Sequence, residues 1–334
     1  MSDSTDLLGE LAAATRLHEG PEGVRKILRS IFRQGPVPIR DLARDLGIPV
    51  PVVAAVRGEL EKRGLASRES GVHLTETGET LLRESSGIGC RESFAITALE
   101  PLPDSVSDLV QRFGELAAQR PDADFSLDQS HATAETAIRR ALYLFEHDAV
   151  EGRSLIFLGD DDLTSIAVSL VADHLGIQTR EIAVLDVDQR LVDFLTEYSS
   201  GTISASLHDL RQPVPDTMVD RFDVFFTDPP YTTPGLELFV TRGVEALAPD
   251  VGKMGFVSFG RKSPGEAVEI GRVLAESRLA VVEVVPDFNR YDGAQLLAGS
   301  SQMIRTVSGG QTSSGRNAYD GPLYTRDMRR APRG

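Results

Sequence analysis

The sequence predicts an α/β fold with a doubly wound, mainly parallel sheet and a smaller amino-terminal domain. Between residues 154 and 307, short apolar runs alternate with segments whose apolar side chains recur at helical spacing. This alternation is typical of parallel strands that are joined by helices. The chain has 334 residues, which exceeds the ~100–200 residues of an ordinary domain and favours two domains.

The predicted strands of the larger domain lead into acidic residues. In chain order, these strands and the acids that follow them are 154–158 with Asp160, 181–185 with Asp186, 203–206 with Asp209, and 222–226 with Asp228. The other predicted elements are helices at 165–175, 189–198, 236–248 and 266–277 and strands at 253–259, 279–285 and 301–307. Ligands of such sheets bind outside the carboxyl ends of the strands, so we expect the acids to face a ligand.

Residues 1–90 are predicted to form a winged-helix-like domain. Three helices end near residues 34, 46 and 63, and a two-stranded wing at 65–74 and a last helical turn follow them. DNA binding would place Arg57, Lys62 and Arg63 on phosphates. Because this region contains about as many acidic as basic residues, packing or dimerisation is the alternative role.

Two other segments flank the larger domain, which we assign to residues 128–307. Residues 91–127 are predicted to be a connector with one helix near 106–119. Residues 308–334 are rich in Gly and Ser and then in Arg, which predicts a flexible tail. Tyr319 and Tyr324 in this polar tail raise the alternative hypothesis of a lid over the site.

The composition excludes several classes of protein. A net charge of -15 argues against nucleic acid as the main partner. Cys90 is the single cysteine, so no internal disulfide and no paired-cysteine metal site can form. The sequence shows neither a signal peptide nor an apolar run of about 18 residues that could span a bilayer. We expect a soluble cytoplasmic protein without a bound metal.

The run Gly159-Asp160-Asp161-Asp162 is the most informative motif. It follows the first strand, where nucleotide-binding sheets usually carry a glycine-rich turn. Three carboxylates here would repel the carboxylate of S-adenosylmethionine, but would attract a donor that has lost this group and keeps its cationic ammonium and sulfonium. The motif therefore predicts cationic ligands. Alternatively, Asp160 caps the following helix.

The run Asp228-Pro229-Pro230-Tyr231 predicts transfer to a nitrogen atom. Its two prolines stiffen the turn, so that Asp228 and nearby carbonyl groups can accept hydrogen bonds from an amine. Tyr231 can lie against a cationic or planar group. The run is familiar from methyltransferases that act on exocyclic amino groups of bases, so an S-adenosylmethionine-dependent amino-methyltransferase remains an alternative.

Four segments, in this order, resemble the branched-chain polyamine synthases, also called bis(aminopropyl)spermidine synthases. They are Leu127-Asp128-Gln129, the run from Gly159 to Asp162, the run from Asp228 to Thr232, and residues 289–303. The resemblance covers essentially the whole chain. It implies a Rossmann-like, methyltransferase-type sheet, an amino-terminal winged-helix domain, a homodimer and a mobile carboxyl-terminal segment near the site.

The resemblance also implies an activity, the transfer of an aminopropyl group from decarboxylated S-adenosylmethionine to the secondary amine of spermidine or a related polyamine. The products are branched polyamines and 5'-methylthioadenosine. The donor is a co-substrate, and no tightly bound cofactor is expected. We expect a polyamine as partner and neither nucleic acid nor a membrane. A winged-helix DNA-binding regulator with an inactive enzyme domain remains a further alternative.

The resemblance and the order of the acids together assign roles to eleven residues. Asp162 matches the family's catalytic acid and is expected to be the base or amine anchor, with Asp161 beside it and Asp228 as a second amine contact. The donor is expected to contact Gly159 and Asp160, with Asp186 on the ribose and Asp209 on the adenine amino group. The candidate polyamine contacts are Asp128, Gln129, Tyr231 and Tyr291.

Overall fold

The computed structural model describes residues 7–292, 299–310 and 316–330. Their contacts divide the chain into two compact units. The first comprises the described residues up to Ser93 with Leu175–Gln178 and Asp250–Gly252, and the second comprises Phe94–His174, Thr179–Pro249 and the described residues from Lys253 onward. The predicted connector therefore lies in the second unit from Phe94 on.

The first unit consists of five helices and one pair of short strands within the described residues. They are α1 (Leu7–Thr15), α2 (Gly20–Gln34), α3 (Ile39–Leu46), α4 (Val50–Lys62), β1 (Ala66–Ser67), β2 (His73–Leu74) and α5 (Glu76–Ser86). The strands are antiparallel, with Ala66 opposite Leu74. α3 ends at Gly47, whose φ of 66° lies in the left-handed region that glycine adopts without strain. Apolar side chains of all five helices form a core within this unit.

Seven strands form the sheet of the second unit. They are β3 (Ser154–Leu158), β4 (Glu181–Asp186), β5 (Ser204–Leu207), β6 (Val224–Thr227), β7 (Val251–Phe259), β8 (Leu279–Arg290) and β9 (Ser300–Gly309). Their order is β5-β4-β3-β6-β7-β9-β8, with parallel pairing from β5 to β7 and antiparallel pairing of β8 with β9. The prediction of an α/β fold with a mainly parallel sheet is confirmed.

Seven further helices pack around or follow this sheet. They are α6 (Ser107–Ala117), α7 (Ala134–Glu146), α8 (Thr164–Leu175), α9 (Gln189–Ser199), α10 (Thr233–Ala246), α11 (Pro264–Glu276) and α12 (Thr325–Arg330). β3 is buried along its whole length, as expected for a parallel strand covered on both faces. On one face, Ile156 and Leu158 share a core with Leu236 and Val240 of α10. In the described part of the chain, none of the helices is long and apolar enough to span a membrane.

The strand order positions the site. β4 follows β3 on one side of it, whereas β6 lies on the other side. Because the strand order reverses at this point, the carboxyl ends of the three strands border a crevice. The acidic run after Leu158, Asp186 at the end of β4 and Asp228 after β6 thus lie at one edge of the sheet.

The carboxyl-terminal segment differs from the predicted flexible tail. β9 continues to Gly309 rather than ending at residue 307. Farther along, the carbonyl oxygen of Leu323 accepts a hydrogen bond of 2.8 Å from Thr232 Oγ1. Leu323 and Tyr324 are buried against Leu238 of α10. The polar composition predicted disorder, but two large side chains anchor this segment to the second unit.

Candidate active site

The turn between β3 and α8 connects the ends of two strands. Gly159 has a φ of +71°, which favours glycine. Its N–H donates to the carbonyl oxygen of Leu185 over 2.9 Å. The next N–H, that of Asp160, donates to Asp186 Oδ2 over 3.0 Å. The backbone of the acidic run is therefore fixed against the end of β4.

Asp160 faces the start of α8 rather than either cavity of the site. Its carboxylate accepts hydrogen bonds from the N–H and the hydroxyl of Ser165. Burial raises its pKa to about 8, although the bonds from Ser165 oppose this shift. Of the three acids in the run, Asp160 therefore acts as the cap of the helix start, which the sequence analysis left as an alternative.

Asp162 and Asp228 are joined by a buried arginine. Arg140 of α7 is fully buried and ion-paired with Oδ2 of both carboxylates, at 2.6 Å from Asp228. The other oxygen of Asp162 accepts a hydrogen bond from the N–H of Ala132. Asp162, which was expected to be the base or the amine anchor, therefore has both oxygens engaged by the protein.

Asp228 keeps one oxygen available for a ligand. Its Oδ2 accepts hydrogen bonds from Arg140 and, over 2.6 Å, from the hydroxyl of Tyr291. Within residues 7–292, 299–310 and 316–330, its Oδ1 accepts no hydrogen bond. Burial raises the pKa of Asp228 to about 6, against the opposing charge of Arg140 and with a further rise from Asp162. Such a carboxylate can change its protonation state near neutral pH.

Asp161 lies between the other acids and is only partly buried. Its Oδ2 accepts a hydrogen bond of 3.2 Å from the N–H of Ser130. Burial raises its pKa well above the ordinary value, and the neighbouring charges of Asp162, Asp186 and Asp228 raise it further. A bound cation would relieve this repulsion and lower the pKa of Asp161.

Two tyrosines complete this part of the site. The hydroxyl of Tyr231 donates to that of Tyr291 over 2.7 Å, and Tyr291 in turn donates to Asp228. Burial raises the pKa of both hydroxyls, so they remain neutral donors. Tyr231 also packs edge-on against Phe259 at the end of β7, with ring centroids 5.4 Å apart. The aromatic rings supply apolar walls beside the carboxylates.

Two cavities meet at the acidic run. The first, counted with the solvent at its opening, has about 560 Å³ of empty space, and its walls include Gly159, Asp186, His208, Asp209, Phe239 and Tyr324. The second, counted in the same way, has about 890 Å³, and its walls include Phe125, Asp162, Tyr231, Tyr291, Ser300 and Thr325. Both are lined by the same four side chains, Asp128, Gln129, Asp161 and Asp228.

Asp186 and Asp209 lie on the wall of the first cavity, as the sequence analysis expected for a nucleoside. Asp186 accepts backbone hydrogen bonds from Asp160 and Asp188, which fix its orientation. Asp209 accepts a hydrogen bond of 2.9 Å from the N–H of Arg211. A carboxylate can accept more than one hydrogen bond per oxygen, so both remain able to bind ligand hydroxyl or amino groups.

Asp128 and Gln129 connect the wall of both cavities to other segments. Asp128 Oδ2 accepts a hydrogen bond of 2.7 Å from the N–H of Thr325 in the carboxyl-terminal segment. Gln129 accepts from the N–H of Asp124 over 2.7 Å. The structure thus brings all the predicted site residues to one crevice, with Asp160 turned toward α8. Of the segment 289–303 that carried the resemblance, residues 293–298 lie outside the described residues.

Sequence analysis assigned no role to Arg140 or His208, and it considered Tyr324 only as part of a lid. Arg140 shares its face of α7 with Ala137 and Leu144, both of them buried. An arginine on an apolar face requires a buried acidic partner, and this signal could have identified it. His208 Nε2 is buried in the first cavity's wall and has no hydrogen-bond partner among the described residues. The sequence could not place Tyr324 in the wall of the first cavity, because only folding brings the carboxyl-terminal segment there.

Comparison with known proteins connects this site to one family. The family model of the branched-chain polyamine synthase A C-terminal domain matches residues 108–311. The N(4)-bis(aminopropyl)spermidine synthase of Thermococcus kodakarensis is 34% identical over 280 residues, which are 80% of this chain and 77% of that protein. Uncharacterized protein MJ0675 of Methanocaldococcus jannaschii is 33% identical over 311 residues, 90% of this chain and 77% of its own length.

Solved structures agree on the fold. The branched-chain polyamine synthase from Thermus thermophilus, in complex with N4-aminopropylspermidine and 5'-methylthioadenosine, is 24% identical. It superposes with a TM-score of 0.61 over 97% of this chain and 98% of that one. At this level of identity the likeness supports the shared architecture.

Proposed function

Because this chain belongs to the branched-chain polyamine synthase family, we propose that it transfers aminopropyl groups to a polyamine. The donor is decarboxylated S-adenosylmethionine, and the acceptor is the secondary amine of spermidine or a related polyamine. The products are a branched polyamine and 5'-methylthioadenosine. The observation that carries this proposal is the pair of cavities that meet at Asp161 and Asp228.

The first cavity fits the nucleoside of the donor. Asp186 at the end of β4 is placed to accept hydrogen bonds from ribose hydroxyls, and Asp209 from the adenine amino group. Phe239 and Tyr324 provide apolar surface for the purine. His208 Nε2, unpaired among the described residues, supplies one more polar contact.

The acidic run determines which donor is accepted. S-adenosylmethionine would bring its carboxylate toward Asp161, whose environment already opposes negative charge. The decarboxylated donor brings an ammonium and a sulfonium instead, and both are attracted by Asp161 and Asp228. We therefore assign the preference between the two donors to the charge of these acids.

The second cavity fits a polyamine. Its walls carry the carboxylates of Asp128, Asp161, Asp162 and Asp228 and the rings of Tyr231, Tyr291 and Phe125. Polyamines alternate cationic nitrogens with methylene groups, so acids and apolar surface are both needed to bind them. Tyrosine and phenylalanine rings also attract cations that lie over their faces.

The reaction requires one proton to leave the acceptor. The amine nitrogen attacks the donor carbon next to sulfur, the carbon–sulfur bond breaks, and its electron pair returns to sulfur to give the neutral thioether. The ammonium of a polyamine, with a pKa of about 10, must first lose a proton to become a nucleophile. Asp161 and Asp228 lie where the cavities meet and are placed to accept it, while Asp162 anchors the amine.

Donor selection tests the proposal directly. Isothermal titration should show tighter binding of decarboxylated S-adenosylmethionine than of S-adenosylmethionine. Mass spectrometry after incubation with the decarboxylated donor and a panel of polyamines should show a mass gain of one or more aminopropyl groups. Tighter binding of the ordinary methyl donor, with methylated products, would instead support the amino-methyltransferase that the Asp-Pro-Pro-Tyr run also permits.

The first unit is proposed to be a winged-helix domain that serves in assembly. Its support is the sequence of helices followed by the antiparallel pair β1 and β2. On α4, Arg57 and Lys62 are paired with Glu61 and Glu59, so their charge is partly offset for phosphate contacts. We propose a homodimer, which light scattering tests, and a salt-dependent gel shift with duplex DNA tests the regulator alternative.

A further inference from the structure

Arg140 contacts several parts of the candidate site, which no sequence motif indicated. Its guanidinium is fully buried and receives contacts from three separate parts of the sheet's edge. It is ion-paired with Asp162 and with Asp228. Its Nε donates to Asn289 Oδ1 over 2.7 Å, and its Nη2 donates to the hydroxyl of Tyr291 over 3.1 Å. Arg140 therefore connects the turn after β3, the turn after β6 and the end of β8.

The guanidinium approaches the two carboxylates from the protein interior. Asp162 and Asp228 line the second cavity, whereas Arg140 lines neither cavity. It engages Oδ2 of each acid. For Asp228 this leaves Oδ1 free of hydrogen bonds from the described part of the chain. Arg140 thus determines which oxygen of Asp228 faces an amine.

Buried carboxylates without a partner take up protons, because burial disfavours their charged form. Asp162 and Asp228 lie near each other and near Asp161, so each charge also opposes the others. The fixed positive charge of an arginine offsets both effects. A lysine in its place would offer a single charged centre instead of a planar fork and could not hold both acids in the same geometry.

We propose that Arg140 is a positioning residue that fixes the carboxylates of Asp162 and Asp228, keeps Asp228 ionised and leaves Oδ1 of Asp228 for the amine substrate. The inference rests on the proposed function, because it explains how the carboxylates of that site are kept able to bind a cationic substrate. Arg140 itself touches no substrate. It acts through the two carboxylates.

The groups that face these carboxylates set the expected pH dependence. Arg140, Tyr291 and Thr164 contact the pair directly or through the guanidinium. Asp161 and Asp186 add negative charge, and Arg120 and His131 lie close enough to interact electrostatically with Asp162. With Arg140 removed, negative charge predominates around the pair, so Asp228 should bind a proton at a higher pH than in the wild type.

The test compares Arg140→Lys with Arg153→Lys. Arg153 is also a buried, ion-paired arginine of the second unit, bonded to Asp148 at the opposite ends of the strands. The readout is kcat/KM for spermidine from pH 5.5 to 9. For Arg140→Lys we expect the acidic limb of the profile to move up by about one pH unit, which is about a tenfold loss at a pH below the limb. Arg153→Lys should keep the limb of the wild type.

A second measurement does not depend on turnover. For Arg140→Met, the loss of Tm relative to the wild type should be larger at pH 8 than at pH 5, because Asp228 lacks its cationic partner at the pH where it would be ionised and needs none where it is protonated. An acidic limb that coincides with that of the wild type, or a Tm loss that is equal at both pH values, would overturn the inference. Failure of the wild type to form any aminopropylated product would contradict the proposed function instead.

Discussion

Two buried charge clusters lie at opposite ends of the same parallel strands, and they differ in charge balance. At the amino ends, Asp223 before β6 is bonded to Lys253 Nζ over 2.7 Å, lies 3.9 Å from Arg153, and accepts the N–H of Ser154. Burial would raise the pKa of Asp223, but Lys253 and Arg153 outweigh it and hold the pKa below its ordinary value. This cluster is neutralised within the protein.

At the carboxyl ends the balance is different. Arg140 is ion-paired with Asp162 and Asp228. Asp161 feels the charges of both acids, and the guanidinium of Arg120 interacts electrostatically with Asp161 and Asp162. The pKa values of Asp161 and Asp228 are raised by burial and by neighbouring acids. Natural folds rarely keep buried charges unpaired. The proposed cationic ligands would balance the excess of carboxylates at this end, whereas the protein's own cations balance the cluster at the amino ends.

The largest expected effect is on stability at the balanced end. Asp223→Asn removes the buried carboxylate that faces Lys253 and Arg153, and breaking such a buried ion pair should cost about 3–5 kcal/mol in the free energy of unfolding. Urea unfolding measures this. The matched control is Asp216→Asn, which breaks the exposed pair with Arg316 and should cost less than about 1 kcal/mol. Similar costs for both variants would contradict the contrast between the clusters.

The next effect is on activity at the unbalanced end. Asp161→Asn keeps the shape of the side chain but removes the charge and the proton acceptor between the two cavities. We expect a loss of about 10²-fold or more in kcat/KM for the amine, with little loss of Tm. Asp223→Asn, assayed below its Tm, should keep its turnover per folded molecule. Retention of more than about a tenth of wild-type activity in Asp161→Asn would remove this acid from the mechanism.

A pH profile tests the role of Asp228. Its pKa is raised to about 6, so the fraction that is ionised falls as the pH drops through that value. Below about pH 6, log kcat/KM for the amine should gain an additional slope of about tenfold per pH unit. A stopped assay from pH 4.5 to 8 measures the break. A profile without a break in this range would show that Asp228 need not be ionised for transfer.

The smallest effect concerns Asp160, the acid that caps α8. Its pKa in the folded protein, about 8, is higher than the value of 3.8 for an unperturbed Asp. Between these two pH values, the folded state therefore holds a proton on Asp160 that the unfolded state has released. The stability this contributes is present at low pH and is lost as the pH rises through about 8. Asp160→Asn imitates the protonated form, so its Tm should gain roughly 2–4 °C on the wild type between pH 6 and pH 9.

A matched control for that measurement is Asp188→Asn. The pKa of Asp188 is lowered, chiefly by its hydrogen bond with Arg190, so its ionised form stabilises the fold. This variant should lose Tm relative to the wild type at pH 6 and at pH 9 alike. A Tm difference for Asp160→Asn that is constant with pH would contradict the raised pKa of Asp160.

The sequence was most informative where one strand ends and one helix begins. Gly159, Asp186 and Asp228 could be placed at the site because parallel strands present their carboxyl ends on one edge. The individual roles within Gly159-Asp160-Asp161-Asp162 could not be separated, since the direction of each side chain depends on the turn. Only the fold distinguishes Asp160 at the helix start, Asp162 on Arg140, and Asp161 between the cavities.

The sequence pattern could not predict contacts between distant segments of the chain. Arg140 precedes Asp228 by 88 residues, and nothing in the local sequence of α7 identifies its partners. The segment after residue 316 was predicted to be flexible on composition, because Leu323 and Tyr324 are too few to form a periodic pattern. Their burial depends on the complementary surface of α10, which exists only after the sheet has formed.

The four side chains common to both cavities have a kinetic consequence. Since Asp128, Gln129, Asp161 and Asp228 belong to both walls, donor and acceptor can occupy the protein together and react without a covalent enzyme intermediate. Steady-state rates measured against one substrate at several fixed levels of the other should give intersecting double-reciprocal lines. 5'-Methylthioadenosine should then inhibit competitively toward the donor.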